Sequence, residues 1–124
     1  MTAARQKLGR MAEEEACRRV HCSGTVIARN VRTRHGEIDV IAIEDRSLCF
    51  IEVKAGHQAA RAGPERPALA VDARKQRRIR RLAATWLSEG PVLPYFDDIR
   101  FDVIGVTIDR SGAICDVEHL RGAF

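Results

Sequence analysis

The chain has 124 residues, 45% of them hydrophobic and 31% charged, with a formal net charge of +4. That length suits one domain around one core, and that balance of apolar and charged residues excludes a disordered chain. No apolar run approaches the roughly 20 residues that cross a bilayer. Residues 1–10 are polar and basic without the apolar stretch of a secretory leader, so a cytoplasmic location is expected.

The first periodic segment, residues 5–22, reads as a helix. Leu8, Met11, Ala12, Ala16 and Val20 recur at spacings of three and four, and Gly24 ends it. Residues 25–31 form a short apolar strand and 33–36 a polar turn. Two strongly patterned strands follow, 37–43 and 48–54, joined by a loop at 44–47. Residues 55–70 are rich in Ala, Gly and Pro without a period and read as a loop. A second helix spans 71–88, with Val71, Ile79, Leu82, Ala83 and Trp86 on one stripe. Gly90, Pro91 and Pro94 interrupt the chain before a strand at 101–108, a turn at 109–112 and a last strand at 113–120. The order is α-β-β-β-α-β-β.

Cys17, Cys22, Cys49 and Cys115 form no CxxC pair and no zinc-ligand spacing, so they read as free thiols. Cys49 and Cys115 alternate with apolar residues and are expected to be buried. The positive charge is concentrated. Residues 72–81 carry Arg74, Lys75, Arg77, Arg78, Arg80 and Arg81 against a single acid, and Arg29, Arg32, Arg34 and His35 precede Gly36. Such clusters attract polyanions, of which nucleic acid is the commonest in a cytoplasm; taken alone, each is also what a solvated helix face or a basic loop looks like.

The middle hairpin carries the chemistry. A four-residue loop sets Ile43 opposite Leu48, Asp39 opposite Glu52 and Glu37 opposite Lys54. Alternation then puts Asp39, Ile41 and Ile43 on one face with Glu52, Phe50 and Leu48. Opposed like charges destabilise a sheet, and apolar neighbours make both charges harder to bury. A divalent cation resolves that conflict, and hard carboxylate oxygens suit Mg²⁺ or Mn²⁺. Lys54 would orient a water or stabilise charge on a phosphate. The competing reading is a solvated edge hairpin held by cross-strand ion pairs.

The segments Gly36-Glu37-Ile38-Asp39-Val40-Ile41 and Phe50-Ile51-Glu52-Val53-Lys54 resemble the signature of the YraN family of bacterial proteins. That family is similar in turn to the PD-(D/E)xK nuclease superfamily. Ala12-Glu13, Arg29-Asn30 with Arg32, Lys75 and the run Arg100 to Val103 match further positions, while Gly56 stands where the family commonly carries Arg. The resemblance implies an α/β, restriction endonuclease-like αβββαβ core, a mixed sheet flanked by helices, over residues 1–124 as one nuclease-like domain. It implies catalytic roles for Asp39, Glu52 and Lys54, and an acidic cluster of Asp39, Glu52 and Glu13.

Other residues support this reading to different degrees. Glu13 falls beside Ala16, Cys17 and Val20 on the first helix, whereas Glu14 points away. Lys75 lies on the apolar stripe of the second helix, where it either snorkels or reaches the site. Arg32, Arg34, Arg74, Lys75, Arg77, Arg78 and Arg81 are the candidate nucleic-acid contacts. Arg100 and Asp102 share a strand face with Ile104 and Val106, where a buried ion pair is expected. His35 stands near the site; His21, His57 and His119 read as incidental, and Trp86 reads as packing.

The expected function is a Mg²⁺-dependent (or Mn²⁺-dependent) endonuclease acting on DNA. The alternatives are a non-catalytic DNA-binding module of the same fold and an interaction subunit docking through residues 55–70. A homodimer would supply a second site.

Overall fold

The computed structural model describes residues 3–58 and 66–124. Helix α1 (Ala3–His21) leads into strands β1 (Thr25–Thr33), β2 (Gly36–Glu44) and β3 (Ser47–His57). A short 3-10 turn (Pro67–Ala70) and helix α2 (Ala73–Ser88) precede strands β4 (Asp98–Ile108) and β5 (Ile114–Leu120). The strands form one sheet in the order β1-β2-β3-β4-β5. Neighbours joined by short turns are antiparallel, and only β3 and β4, connected through α2, are parallel. A mixed sheet between two helices, in αβββαβ order with one further strand, is the restriction endonuclease-like core expected from the sequence.

Strand alternation sorts the core into two layers. Ala12, Ala16, Cys17 and Val20 of α1 pack on Val40, Ala42, Cys49, Ile51, Ile104, Val106 and Ile108. Ile79, Leu82 and Ala83 of α2 pack on Ile41, Leu48, Phe50, Phe101 and Val103. Trp86 meets the edge of Phe50 at 5.9 Å between ring centroids, confirming it as packing. Among the described residues, no helix is long and apolar enough to cross a membrane.

Several boundaries differ from expectation for local reasons. The β2–β3 turn is Asp45-Arg46 rather than four residues: Glu44 pairs with Ser47, and Asp45 takes φ 55°, a left-handed conformation that Asp tolerates. The register, Ile43 opposite Leu48, is the expected one. Helix α2 starts at Ala73, not at 71. Asp72 is extended and its carboxylate accepts the Lys75 amide hydrogen at 2.9 Å, a helix N-cap.

Residues 55–57 continue β3, held by the parallel ladder to β4, instead of opening a loop. Pro67 and Ala68 are buried in the 3-10 turn, and residues 59–65 lie outside the described residues. That turn presses onto two glycines. A Cβ on Gly56 would sit 2.8 Å from Pro67 Cγ, and one on Gly105 would sit 2.5 Å from the Ala68 nitrogen. The space an arginine at 56 would need is therefore filled by Pro67. Cys115 is exposed, not buried: it is the unpaired residue where the β4–β5 register shifts, between Ile114 opposite Ile108 and Asp116 opposite Thr107.

The expected Arg100–Asp102 pair exists and belongs to a larger network. Arg100 donates to both Asp102 oxygens (2.8 and 2.9 Å) and to Glu44 (2.8 Å). Arg121 and Ser23 also hold Glu44, each at 2.5 Å. His119, which the sequence marks as incidental, sits 2.8 Å from Asp102 through Nε2. The hydrogen bond from Arg121, which outweighs the opposing effect of burial, and further bonds from Ser23 and Arg100 hold the Glu44 carboxyl down at about 2.

A carboxyl with a depressed native pKa stabilises the fold above its unfolded value of 4.5, and that stability is lost as pH falls from there toward 2. At about 1.4 kcal/mol per unit over the interval from 4.5 to about 2, the contribution of Glu44 is on the order of 3 kcal/mol. Urea unfolding of wild type and Glu44→Gln is expected to differ by that amount at neutral pH and to converge near the foot of the acid range. A constant difference across that range would contradict this role.

Candidate functional site

The site forms where β2 and β3 part. Their ladder runs from Glu44↔Ser47 to Val40↔Ile51 and stops. Asp39 then supplies the missing acceptor with its side chain: its Oδ2 receives the Val53 amide hydrogen at 2.8 Å. On the other flank, Asn30 interrupts the β1–β2 pairing opposite Asp39 and takes φ 49°. That is a strained conformation for most residues, tolerated by Asn and frequent at functional sites.

Because the ladder ends here, the expected flat face is not formed. Ile41, Leu48 and Phe50 do share one face, packed under α2 with Ile43 against them. Asp39 does not join them: its carboxylate groups with Glu13 from α1 and with Glu37. Among the described residues, these three carboxylates form a group whose oxygens lie within 4.8 Å of one another. Glu37 is therefore not paired across the hairpin with Lys54. It joins the acidic group, and Arg32 stands 3.8 Å from it. Asp39 and Glu52 do meet, in hydrogen-bond contact from neighbouring strands, although no backbone ladder joins them there.

The electrostatics follow from this crowding. Burial first, and the Asp39 carboxylate second, push the Glu52 carboxyl up to about 7. Burial and then Asp39 also raise Glu13, against a hydrogen bond from Asn30 that lowers it. On the α2 side, Lys54 and Lys75 meet each other beside Glu52. Desolvation, followed by the neighbouring Lys75, lowers the Lys54 ammonium. The result is an acidic group short of counter-charge, flanked by two crowded lysines. Hard oxygen donors in that state are what a divalent cation takes.

Sequence reasoning singled out Glu13, Asp39, Glu52 and Lys54; in the structure Glu13 groups with Asp39, and Asp39 and Lys54 both neighbour Glu52. It missed Glu37 and Asn30. The signal for Glu37 was its period-two relation to Asp39; for Asn30 it was an amide residue inside a strand. Lys75, half-buried on the flank of α2, reaches the site. Arg32 and Arg34 are exposed at the β1–β2 turn, and Arg74, Arg77, Arg78 and Arg81 are exposed on α2. Arg80 lies 4.6 Å over the ring of Phe101. His35 accepts from Arg34 Nε at 3.1 Å in an exposed position and takes no part in the cluster.

The model of uncharacterised protein family UPF0102 matches residues 12–106, a span that holds Glu13, Asn30, Glu37, Asp39, Glu52, Lys54 and Lys75. The chain belongs to the UPF0102 family. A UPF0102 protein of Parafrankia sp. strain EAN1pec is 46% identical over 121 residues, covering 96% of this chain and 97% of the relative. One from Frankia alni is 45% identical over 122 residues, 98% of this chain and 97% of the relative. A more distant one from Moorella thermoacetica is 35% identical over the full length of both. Family membership agrees with the YraN-like signature read from the sequence.

Proposed function

We propose that this chain is a divalent-cation-dependent nuclease that hydrolyses DNA phosphodiester bonds. The observation that carries this reading is the position of Asp39. Its carboxylate stands between Glu52 on one side and Glu13 with Glu37 on the other, with Lys54 alongside. Mg²⁺ or Mn²⁺ suits that donor set, with Asp39 and Glu52 as ligands and Glu13 and Glu37 closing the site from the α1 side. When bound, such an ion lowers the pKa of a coordinated water and polarises a phosphoryl oxygen.

The chain's own residues do the rest. Asn30 stands beside Glu13 and favours its charged form, and the Val53 amide holds Asp39. Lys54 orients the attacking water beside Glu52. The water oxygen bonds to phosphorus and gives up one proton to solvent, the bond to one sugar oxygen breaks, and that oxygen takes a proton from solvent and leaves as a hydroxyl. Basic residues on the flank of α2 that faces the site, with those of the β1–β2 turn, hold the backbone, giving affinity without choice of sequence. The absence of a membrane-crossing helix among the described residues fits a cytoplasmic enzyme.

The test is cleavage of a panel of linear, branched and single-stranded DNA, and of RNA, with Mg²⁺ or Mn²⁺. Cutting is expected in the presence of the cation only. Asp39→Ala and Glu52→Ala should each reduce the rate by on the order of 10³-fold or more, since residues acting as one unit fail together. A wild-type protein inert on the whole panel would overturn the enzymatic reading and leave a DNA-binding module of the same fold. Equal activity in the variants would overturn the site.

A further inference from the structure

The basic residues of α2 are not equivalent, and the geometry separates them. At about 100° per residue, Ile79, Leu82, Ala83 and Trp86 define the buried side of the helix. Lys75 and Arg78 fall on the flank next to Leu82. Arg80 falls on the opposite flank, where it covers Phe101 and Phe124. Arg77 and Arg81 point away from the sheet.

Contacts fix which flank faces the site. Lys75 meets Lys54 beside Glu52. A Cβ built on Gly36 would lie 3.4 Å from Leu82 and 3.7 Å from an Arg78 guanidinium nitrogen, so Arg78 reaches the start of β2. There it borders a cleft lined by Arg32, Thr33, Gly36 and Glu37. Lys54, Lys75, Arg78 and Arg32 therefore follow one another from the acidic group to the β1–β2 turn. Lys54 stands beside Glu52 and Arg32 lies 3.8 Å from Glu37, whereas Lys75 and Arg78 have no carboxylate on α2 between Asp72 and Glu89.

We infer that this single flank, Lys75 and Arg78 of α2 with Arg32 of the β1–β2 turn, is the track for the backbone of duplex DNA running to and from the acidic site, and that Arg77 and Arg81 lie off it. This rests on the nuclease reading for the identity of the site at its end. A duplex is favoured over a single strand because none of the track residues carries a ring on which bases could stack: Trp86 is packed on Phe50, the His35 ring is engaged by Arg34, and Tyr95, 75% exposed, lies in the segment after α2.

Binding of a fluorescent duplex of about 20 base pairs, read in EDTA over a salt series, tests this directly. Each phosphate neutralised contributes about 0.9 to the slope of log K against log salt. Lys75→Ala/Arg78→Ala is expected to flatten the slope by about 1.8 and to weaken binding at low salt at least tenfold. Arg77→Ala/Arg81→Ala should change the slope by less than about 0.5. Lys75→Arg should restore the wild-type slope, which a merely structural lysine would not require.

An equal or larger loss in the Arg77/Arg81 variant would overturn the track. So would a wild type that does not bind the duplex, or one that binds duplex RNA or single-stranded DNA more tightly. Because EDTA removes the cation, the binding result is independent of cleavage. A correct slope pattern in a protein that never cuts would sink the nuclease reading alone, and cutting with an unchanged slope in the Lys75/Arg78 variant would sink the track alone.

Discussion

Glu52→Gln is expected to make the cation-free protein more stable at neutral and alkaline pH, while abolishing its response to Mg²⁺ or Mn²⁺. The Glu52 carboxyl is pushed up to about 7 from 4.5 by burial and by Asp39. Between those two values the native state keeps a proton that the unfolded chain has released, so stability falls as pH rises through that window. Glutamine carries no charge to release. The gain should therefore be absent below about pH 4.5, grow through the window and level off above about pH 7. Its plateau is on the order of 1–2 kcal/mol, discounted because the carboxyl keeps part of its hydration.

Thermal melts in EDTA across that range read the gain, and melts with added Mn²⁺ read the second half of the expectation. Wild type should gain stability as the free cation exceeds its dissociation constant, by about 2.7 kcal/mol at a hundredfold excess. The variant should gain little. A glutamine variant less stable than wild type at every pH would mean that Glu52 is held by favourable contacts rather than frustrated by Asp39. The acidic group would then have no unmet demand for a cation.

How much of this was visible beforehand depended on which physical term set each feature. Alternation of apolar residues located β2 and β3 and their register, because burying both faces leaves little choice of pairing. The same rule then misplaced Asp39, since it assumes that the ladder continues. The strands part at Asp39, where a side chain replaces a backbone acceptor for Val53, and no periodicity encodes that substitution. Glu37 was assigned to a cross-strand pair for the same reason. The helix stripes were legible enough to place Lys75 on the apolar side of α2. The role of His119 was not: its partner, Asp102, lies 17 positions away on a neighbouring strand, and only the β4–β5 register brings them together.

That partner carries the largest stability effect expected here. Asp102 has no exposed surface, and it accepts from Arg100 twice, from His119 and from the Gly122 amide. Burial alone would raise its carboxyl. The hydrogen bonds from His119, Arg100 and Gly122 outweigh burial and keep it below the usual range, so it is a carboxylate that only accepts. His119 Nε2 must then carry the hydrogen, which leaves Nδ1 buried without a partner. The network is satisfied through Asp102 and has no slack to replace it.

Asp102→Ala would leave the His119 imidazole without a partner and the Arg100 guanidinium with Glu44 alone. Removing one partner of a buried ion pair costs about 3–5 kcal/mol, against a total of roughly 5–15 kcal/mol for a domain of this kind. The melting temperature should fall by on the order of 10–20 °C. Asp102→Asn keeps the shape but turns one acceptor into a donor facing donors, and it should lose about 1–3 kcal/mol. It therefore remains measurable if the alanine variant does not fold. Asp102 neighbours Ile51 on β3, one residue from Glu52, so the same network fixes the strand that presents the acidic site. Melting points of both variants within about 2 °C of wild type would show that the charges of this cluster contribute nothing net to the fold.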